Sequence, residues 1–258
     1  RALRNMLPDD LRVQEPGSTA PIFADLQSHV KYSRKEKVLD TNDKNAYNVV
    51  VLGPTGAGKS TIINLMFNQR VCQAADDVES VTRNMEFHTG ERMTPGGLVT
   101  RINLIDSVGF CDSHLDPEDV HNIIKEAISG NCLQIHKVLI VVSGRLPKDQ
   151  QESIRQILKW LGYSPSAPTR KSVHFIYTKC DGQTEEKKQQ NLAKMCELVG
   201  AASGQASQFA EEVTDADGNK SLQHVSNALA LSFPPTAPLT EIKDDYDKLM
   251  LNVFGIKT

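Results

Sequence analysis

The chain has 258 residues, of which 39% are apolar and 24% charged, and its formal net charge is −3. That length and apolar content suffice for one large domain with a proper core, or for two small ones. The near-balanced charge gives no sign of nucleic acid or an acidic membrane surface as a partner.

Residues 1–46 carry no sustained helical or strand period. RALRNMLPDDLRVQEPGSTAP is followed by the basic patch KYSRKEK and then LDTNDKN. They are expected to form an N-terminal extension, as a flexible leader or a docking segment, with one short helix around IFADLQSHV. From Tyr47 onward, residues 47–258 alternate buried strands with helical stretches. Strands are predicted at 47–52, 83–88, 100–106, 137–143, 172–178 and 221–225, and helices at 59–68, 117–129, 148–161, 185–198 and 240–253. Several strands are apolar on both faces, as parallel strands covered by two helical layers must be. The Gly/Pro-rich TGERMTPGG makes the second and third strands an antiparallel pair. The expected fold is α/β: a doubly wound, mostly parallel six-stranded sheet with one antiparallel edge strand.

The apolar strand YNVVVL runs into GPTGAGKST, which fits G-x-x-x-x-G-K-[ST] from Gly53 to Ser60. Glycines let successive backbone N–H groups turn inward around phosphate oxygens, and the helix opening there adds the positive end of its dipole. Gly53, Thr55, Gly56, Ala57, Gly58, Lys59, Ser60 and Thr61 are therefore candidate nucleotide contacts. Lys59 would reach the β- and γ-phosphates, and Ser60 would give its hydroxyl to Mg²⁺. This is a P-loop, and it implies a nucleoside triphosphate.

Three later stretches narrow the choice. TRINLIDSVGF places Asp106 at a strand end, suited to Mg²⁺, with Gly109 in D-x-x-G spacing to sense the γ-phosphate. HFIYTKCDG ends another strand in Thr178, Lys179, Cys180 and Asp181. Asp181 can accept two hydrogen bonds from guanine, whereas adenine would leave it unpaired. Ser226 and Asn227, after the strand expected at 221–225, are candidates to close over the base. Thr82 in ESVTRNMEF is either a switch residue ligating Mg²⁺ in the triphosphate state or an ordinary β-branched strand starter.

Together, GPTGAGKST, SVTRNMEF, LIDSVGFCD, HKVLIVVSGRLPKDQQESIRQIL and FIYTKCDG resemble the immune-associated nucleotide-binding (GIMAP-type) GTPases, relatives of the septins and the chloroplast import receptor GTPases. The resemblance spans about residues 47–230. It implies a GTP-binding G domain with GTP/GDP and Mg²⁺ as cofactors, forming a homodimer or oligomer across its nucleotide face when GTP is bound. It also implies a membrane surface as a partner, reached through segments outside the domain; from the charge balance, no nucleic acid partner is expected. Cytoplasmic localisation is expected, since the five cysteines are scattered as in a reducing compartment and no apolar run nears the about 20 residues that span a bilayer. The chain starts at Arg1 without a methionine, so it is expected to be a piece of a longer polypeptide whose ends carry any anchor.

The chain departs from the family where D-S-V-G replaces D-T-P-G. Phe110 stands where Ras-like enzymes place a water-orienting glutamine, which suggests slow hydrolysis without outside help. Arg145, in VVSGRLPKDQ, is either a helix-flanking partner of Asp149 or Glu152 or an arginine supplied in trans to the phosphates of a second molecule. The expected catalytic set is Lys59, Thr82 and Arg145, and the expected metal set Ser60, Thr82 and Asp106. A GTP-dependent scaffold that hardly hydrolyses is the rival reading. A nucleotide kinase or ATPase is disfavoured by Asp181.

Other features are expected to be structural. DADGN, residues 215–219, lacks calcium ligands at the first and twelfth positions and is a turn. His114 and His121 have no cysteine partner at zinc spacing. Trp160, in register with Ile154 and Ile157, is expected in the core.

Overall fold

The computed structural model describes residues 20–26, 28–37, 39, 43, 45–72, 85–93, 97–109, 117–131, 134–144, 147–162, 172–202, 210–214, 220–224, 228–234 and 238–256. In chain order the first half forms β1 (Lys31–Glu36), β2 (Tyr47–Leu52), α1 (Lys59–Phe67), β3 (Glu86–Met93), β4 (Val99–Asp106) and α2 (Pro117–Asn131). The second half forms β5 (Lys137–Ser143), α3 (Lys148–Trp160), β6 (Val173–Thr178), α4 (Glu185–Ala202), β7 (Ala210–Thr214), β8 (Lys220–His224), β9 (Ala228–Ala230) and α5 (Leu239–Phe254).

The main sheet has the order β1-β3-β4-β2-β5-β6-β9. Strands β4, β2, β5, β6 and β9 are parallel, and β3 runs against both of its neighbours. Strand β2 is continuously apolar because both its faces are covered. Val50 and Leu52 join a core with Ile124, Ile128, Ile154 and Ile157, whereas Val49 and Val51 join one with Ile62, Met66, Tyr246 and Leu249. This is the mostly parallel doubly wound α/β sheet with an antiparallel edge that the sequence predicts, and all five predicted helices are present.

Among the described residues its strand count is seven rather than six. The added edge strand, β1, comes from the leader, whose charged KYSRKE shows no apolar alternation because only one edge and little of its surface are covered. Gly90 allows the close approach: a Cβ there would stand 2.6 Å from both the Lys31 carbonyl oxygen and the Phe67 ring.

Three local expectations are corrected. Residues around IFADLQSHV are not helical, because Asn68 claims the backbone instead. Its side chain accepts from Phe23 N–H at 2.9 Å and donates to the carbonyls of Phe23 and Leu26 at 2.9 and 3.2 Å. The strand expected at 221–225 corresponds to β8, which pairs with β7 in a separate two-stranded sheet. The last strand of the main sheet is instead β9, only three residues long and held by Phe175–Tyr177. Trp160 is 36% exposed while Ile154 and Ile157 are buried, since α3 ends at that residue.

Candidate nucleotide site

The phosphate loop leaves the sheet at the C-terminal end of β2, where parallel α/β sheets bind ligands. Gly53 passes so close to β5 that a Cβ would collide with the Val141 carbonyl oxygen. Gly56 and Gly58 take φ values of 74° and 95°, which side chains rarely adopt, and they turn the loop into α1. The helix then begins with no side-chain cap and no acidic residue in its first turn. The positive end of its dipole thus faces the loop and meets no repelling carboxylate there.

Lys59 is buried and folds back over the loop, its Nζ donating to the carbonyls of Gly53 and Pro54 at 3.1 Å each. Ser60 Oγ donates to Asp106 Oδ2 at 2.8 Å. Thr61 lies half-buried in the same helical turn. Asp106 ends β4 fully buried, and burial raises its pKa while the Lys59 charge and the Ser60 hydrogen bond oppose the rise. Its Oδ1 is buried without a hydrogen-bond partner among the described residues. A buried carboxylate with one orphaned oxygen beside a hydroxyl suits a hard divalent cation, so the residues fit Mg²⁺. Gly109 packs against the loop, where a Cβ would stand 2.7 Å from the Thr55 backbone nitrogen.

The other end of the site is built on β6. Thr178 Oγ1 donates to the Ala57 carbonyl at 2.6 Å and lies 3.1 Å from that of Val142. Lys179 follows with φ 58°, a sharp left-handed turn that leaves it exposed. Cys180 points into the core, its thiol pushed up to about 12 chiefly by burial, so the variable position of T-K-C-D is inert packing. Asp181 is exposed, and its Oδ1 accepts from Ser232 Oγ at 2.6 Å.

Sequence reasoning missed Ser232 and its support. Ser232 N–H donates to Asp245 Oδ2 on α5 at 2.8 Å, and Lys188 on α4 stands 3.6 Å from the same oxygen. Recognising Ala228–Ala230 as the last main-sheet strand would have pointed to Ser232, because ligand residues follow parallel strands. The structure thus brings Lys59, Ser60, Asp106, Gly109 and Thr178 together around the loop, with Asp181 three residues past the end of β6. Thr82, Phe110, Arg145, Ser226 and Asn227 lie outside the described residues, as do His114 and the turn expected at 215–219. Glu152, one partner considered for Arg145, pairs with Arg155 at 2.5 Å. No helix among the described residues is long and apolar enough to cross a membrane.

Immune-associated nucleotide-binding protein 10 of Arabidopsis thaliana is 30% identical over 112 residues, covering 43% of this chain and 23% of its own length. The chain spans only 23–34% of the first three curated relatives it matches. Among solved structures, Toc33 from Arabidopsis thaliana in complex with Mg²⁺ and GMPPNP superposes with a TM-score of 0.54 at 14% identity, covering 84% of this chain and 88% of that one. A structure of the chloroplast translocon components atToc33 and psToc159, described as showing that dimerisation is important for their GTPase activity, gives 0.52 at 15% identity over 84% and 86%. These likenesses share the fold. The AIG1 family model matches residues 47–196, more than half of the chain and the whole stretch from the phosphate loop through Asp181, and the chain belongs to the AIG1 family.

Proposed function

We propose that this protein binds GTP with Mg²⁺ and hydrolyses it to GDP. The observation that carries the reading is the Ser60–Asp106 contact at the mouth of an uncapped, glycine-turned helix, with Asp106 Oδ1 left unpaired. Gly53–Thr61 would hold the phosphates, Lys59 would neutralise them, and Ser60, Asp106 and Thr82 would hold the metal. Bound Mg²⁺ supplies charge neutralisation at the β- and γ-phosphate oxygens. Asp181, oriented by Ser232, reads the guanine edge, with Lys179, Ser226 and Asn227 around the base.

Hydrolysis is assigned to a dimer formed across the nucleotide face, with Arg145 of one molecule reaching the phosphates of the other. Supporting this are the position of Arg145 in the sequence just after β5 and the description of atToc33 and psToc159, for whose GTPase activity dimerisation is important. An arginine supplied in trans contributes about 10³–10⁵ in rate where GTPases use one. The test is turnover per molecule over a range of protein concentrations, with GTP and ATP in competition. Specific activity should rise with concentration, and Arg145→Ala should flatten the rise while GTP affinity stays nearly unchanged. Concentration-independent turnover, or an alanine variant as fast as the parent, would leave Arg145 structural and favour the GTP-dependent scaffold.

A further inference from the structure

Beside the nucleotide site, on the α1 face of the sheet, lies a second group of polar side chains that GTP chemistry does not use. Cys72, just beyond α1, is buried, and His88 on β3 is fully buried. Glu86, two residues before His88 on the same face of β3, is half-buried. His88 Nε2 lies 3.2 Å from Cys72 Sγ and 3.3 Å from Glu86 Oε2. One ligand atom from each residue lies within 4.8 Å of the other two.

Direct hydrogen bonds satisfy this arrangement only in part, unless one Nε2 proton is shared between the sulfur and the carboxylate. An imidazole nitrogen either donates one in-plane proton or offers one lone pair. If Nε2 is protonated and donates to Glu86, the sulfur lone pairs face it without a proton between them. If Nε2 is unprotonated and accepts from the thiol, the Glu86 carboxylate faces a lone pair. A cation at the common centre makes all the contacts favourable at once. The two separations from His88 Nε2, 3.2 and 3.3 Å, also suit one. Zinc bonds of about 2.0 Å to nitrogen and oxygen and about 2.3 Å to sulfur, at tetrahedral angles, separate neighbouring ligand atoms by about 3.3–3.6 Å.

We propose that Cys72, Glu86 and His88 form a three-ligand site for a borderline-soft divalent cation of the zinc type. A sulfur, a nitrogen and an oxygen donor suit such an ion, whereas Mg²⁺ and Ca²⁺ take oxygen sets. Three protein ligands leave a fourth position open. Lys35 of β1 pairs with the other oxygen of Glu86 at 2.5 Å, orienting the carboxylate from outside, and Tyr32 of β1 lies against the His88 ring at 6.3 Å between centroids. The leader strand therefore closes over the cluster. Glu86 is also the register partner of Asp106 across β3 and β4, so the two cation sites are neighbours in the sheet.

Cobalt(II) distinguishes the two sites, because only this one offers sulfur. The whole chain, in excess GDP and Mg²⁺, is titrated with Co²⁺ and followed by near-ultraviolet absorption. The expected result is a thiolate-to-cobalt charge-transfer band saturating at one ion per chain, reversed by Zn²⁺. Cys72→Ser should abolish the band. His88→Gln and Glu86→Gln should weaken Co²⁺ binding by more than the about 10- to 100-fold that loss of an outer-shell partner costs. Glu86 is only half-buried, so its variant should fold even if a core substitution does not, and circular dichroism checks each one. Absence of the band in the parent protein overturns the proposal. So does a band that survives unchanged in the folded variants, which would place the ion on another cysteine.

Discussion

Thr178 Oγ1 donates to the carbonyl of Ala57, 121 residues earlier, at 2.6 Å, so the strand that leads to Lys179 and Asp181 is tied to the phosphate loop. Thr178 is therefore a strut between the two halves of the site. Thr178→Val keeps the shape, removes the donor and leaves a buried carbonyl unpaired, at a cost of about 1–3 kcal/mol. GTP and GDP should both bind more weakly while the preference for guanine over adenine is retained. Calorimetric titration with GTP, GDP and ATP checks this, and a changed base preference would make Thr178 a base contact instead.

Asp181→Asn tests the base reading. Xanthine carries a carbonyl where guanine carries the amine, so the variant should lose GTP and gain xanthosine triphosphate. Ser232→Ala, which frees Asp181 Oδ1 from its hydrogen bond, should lower GTP affinity without that switch. Competition between GTP and xanthosine triphosphate reads both outcomes. An Asp181→Asn variant that still prefers GTP would show that Asp181 does not read the base.

Two loop glycines should differ sharply on substitution. At Gly53 the Val141 carbonyl oxygen occupies the place of a Cβ, and backbone cannot yield as a side-chain end can. Gly53→Ala should cost about 3–5 kcal/mol of stability, in the range of severe core changes. At Gly56 nothing lies within 4 Å, and only the φ of 74° resists, so Gly56→Ala should cost about 1–2 kcal/mol. Urea unfolding of the two variants measures the difference, and equal losses would contradict the steric argument.

His136 predicts an acid response. Burial holds its pKa below the ordinary 6.5. Its Nδ1 accepts from Asn48 N–H at 3.1 Å, a bond that protonation removes. The folded state binds fewer protons than the unfolded chain between pH 6.5 and the lowered folded value. Its stabilising contribution is therefore complete above that window and is lost as pH falls through it. His136→Phe keeps the stacking on Tyr47, at 4.7 Å between centroids, and should make Tm less dependent on pH between about 7 and 5. His29, also lowered by burial, accounts for some remaining slope. An unchanged slope in the variant would exclude His136 as a source.

Removing residues 1–37 should expose the outer edge of β3, which β1 now covers through five register pairs. An uncovered strand edge invites pairing with another chain. The truncated protein should associate as its concentration rises, which light scattering would show. A truncated chain that stays monomeric at all concentrations would mean that β3 needs no cover.

The phosphate loop, Asp106 and Thr178–Asp181 were legible in the sequence because each combines special chemistry with a buried strand just before it. The five helices were legible from their apolar periodicity. β1 was not, since a charged edge strand has little apolar face to display. β9 was missed because Ala-Leu-Ala is too short to carry a period and its alanines favour helix. The helix wrongly expected around IFADLQSHV depended on Asn68, about 40 residues away. The Ser232–Asp245 support and the Cys72–Glu86–His88 cluster join residues whose proximity only the folded sheet creates.

The edge position of β1 also bears on how the chain is made. Among the described strands β1 is synthesised first, yet its partner in the sheet, β3, follows about 50 residues later. At about 5–20 residues per second the segment waits several seconds on the ribosome with nothing to pair with. An apolar strand in that position would be a hazard to neighbouring nascent chains. Two lysines, an arginine and a glutamate in KYSRKE keep it solvated until β3 arrives, so the composition that hid the strand from its sequence also protects it during synthesis.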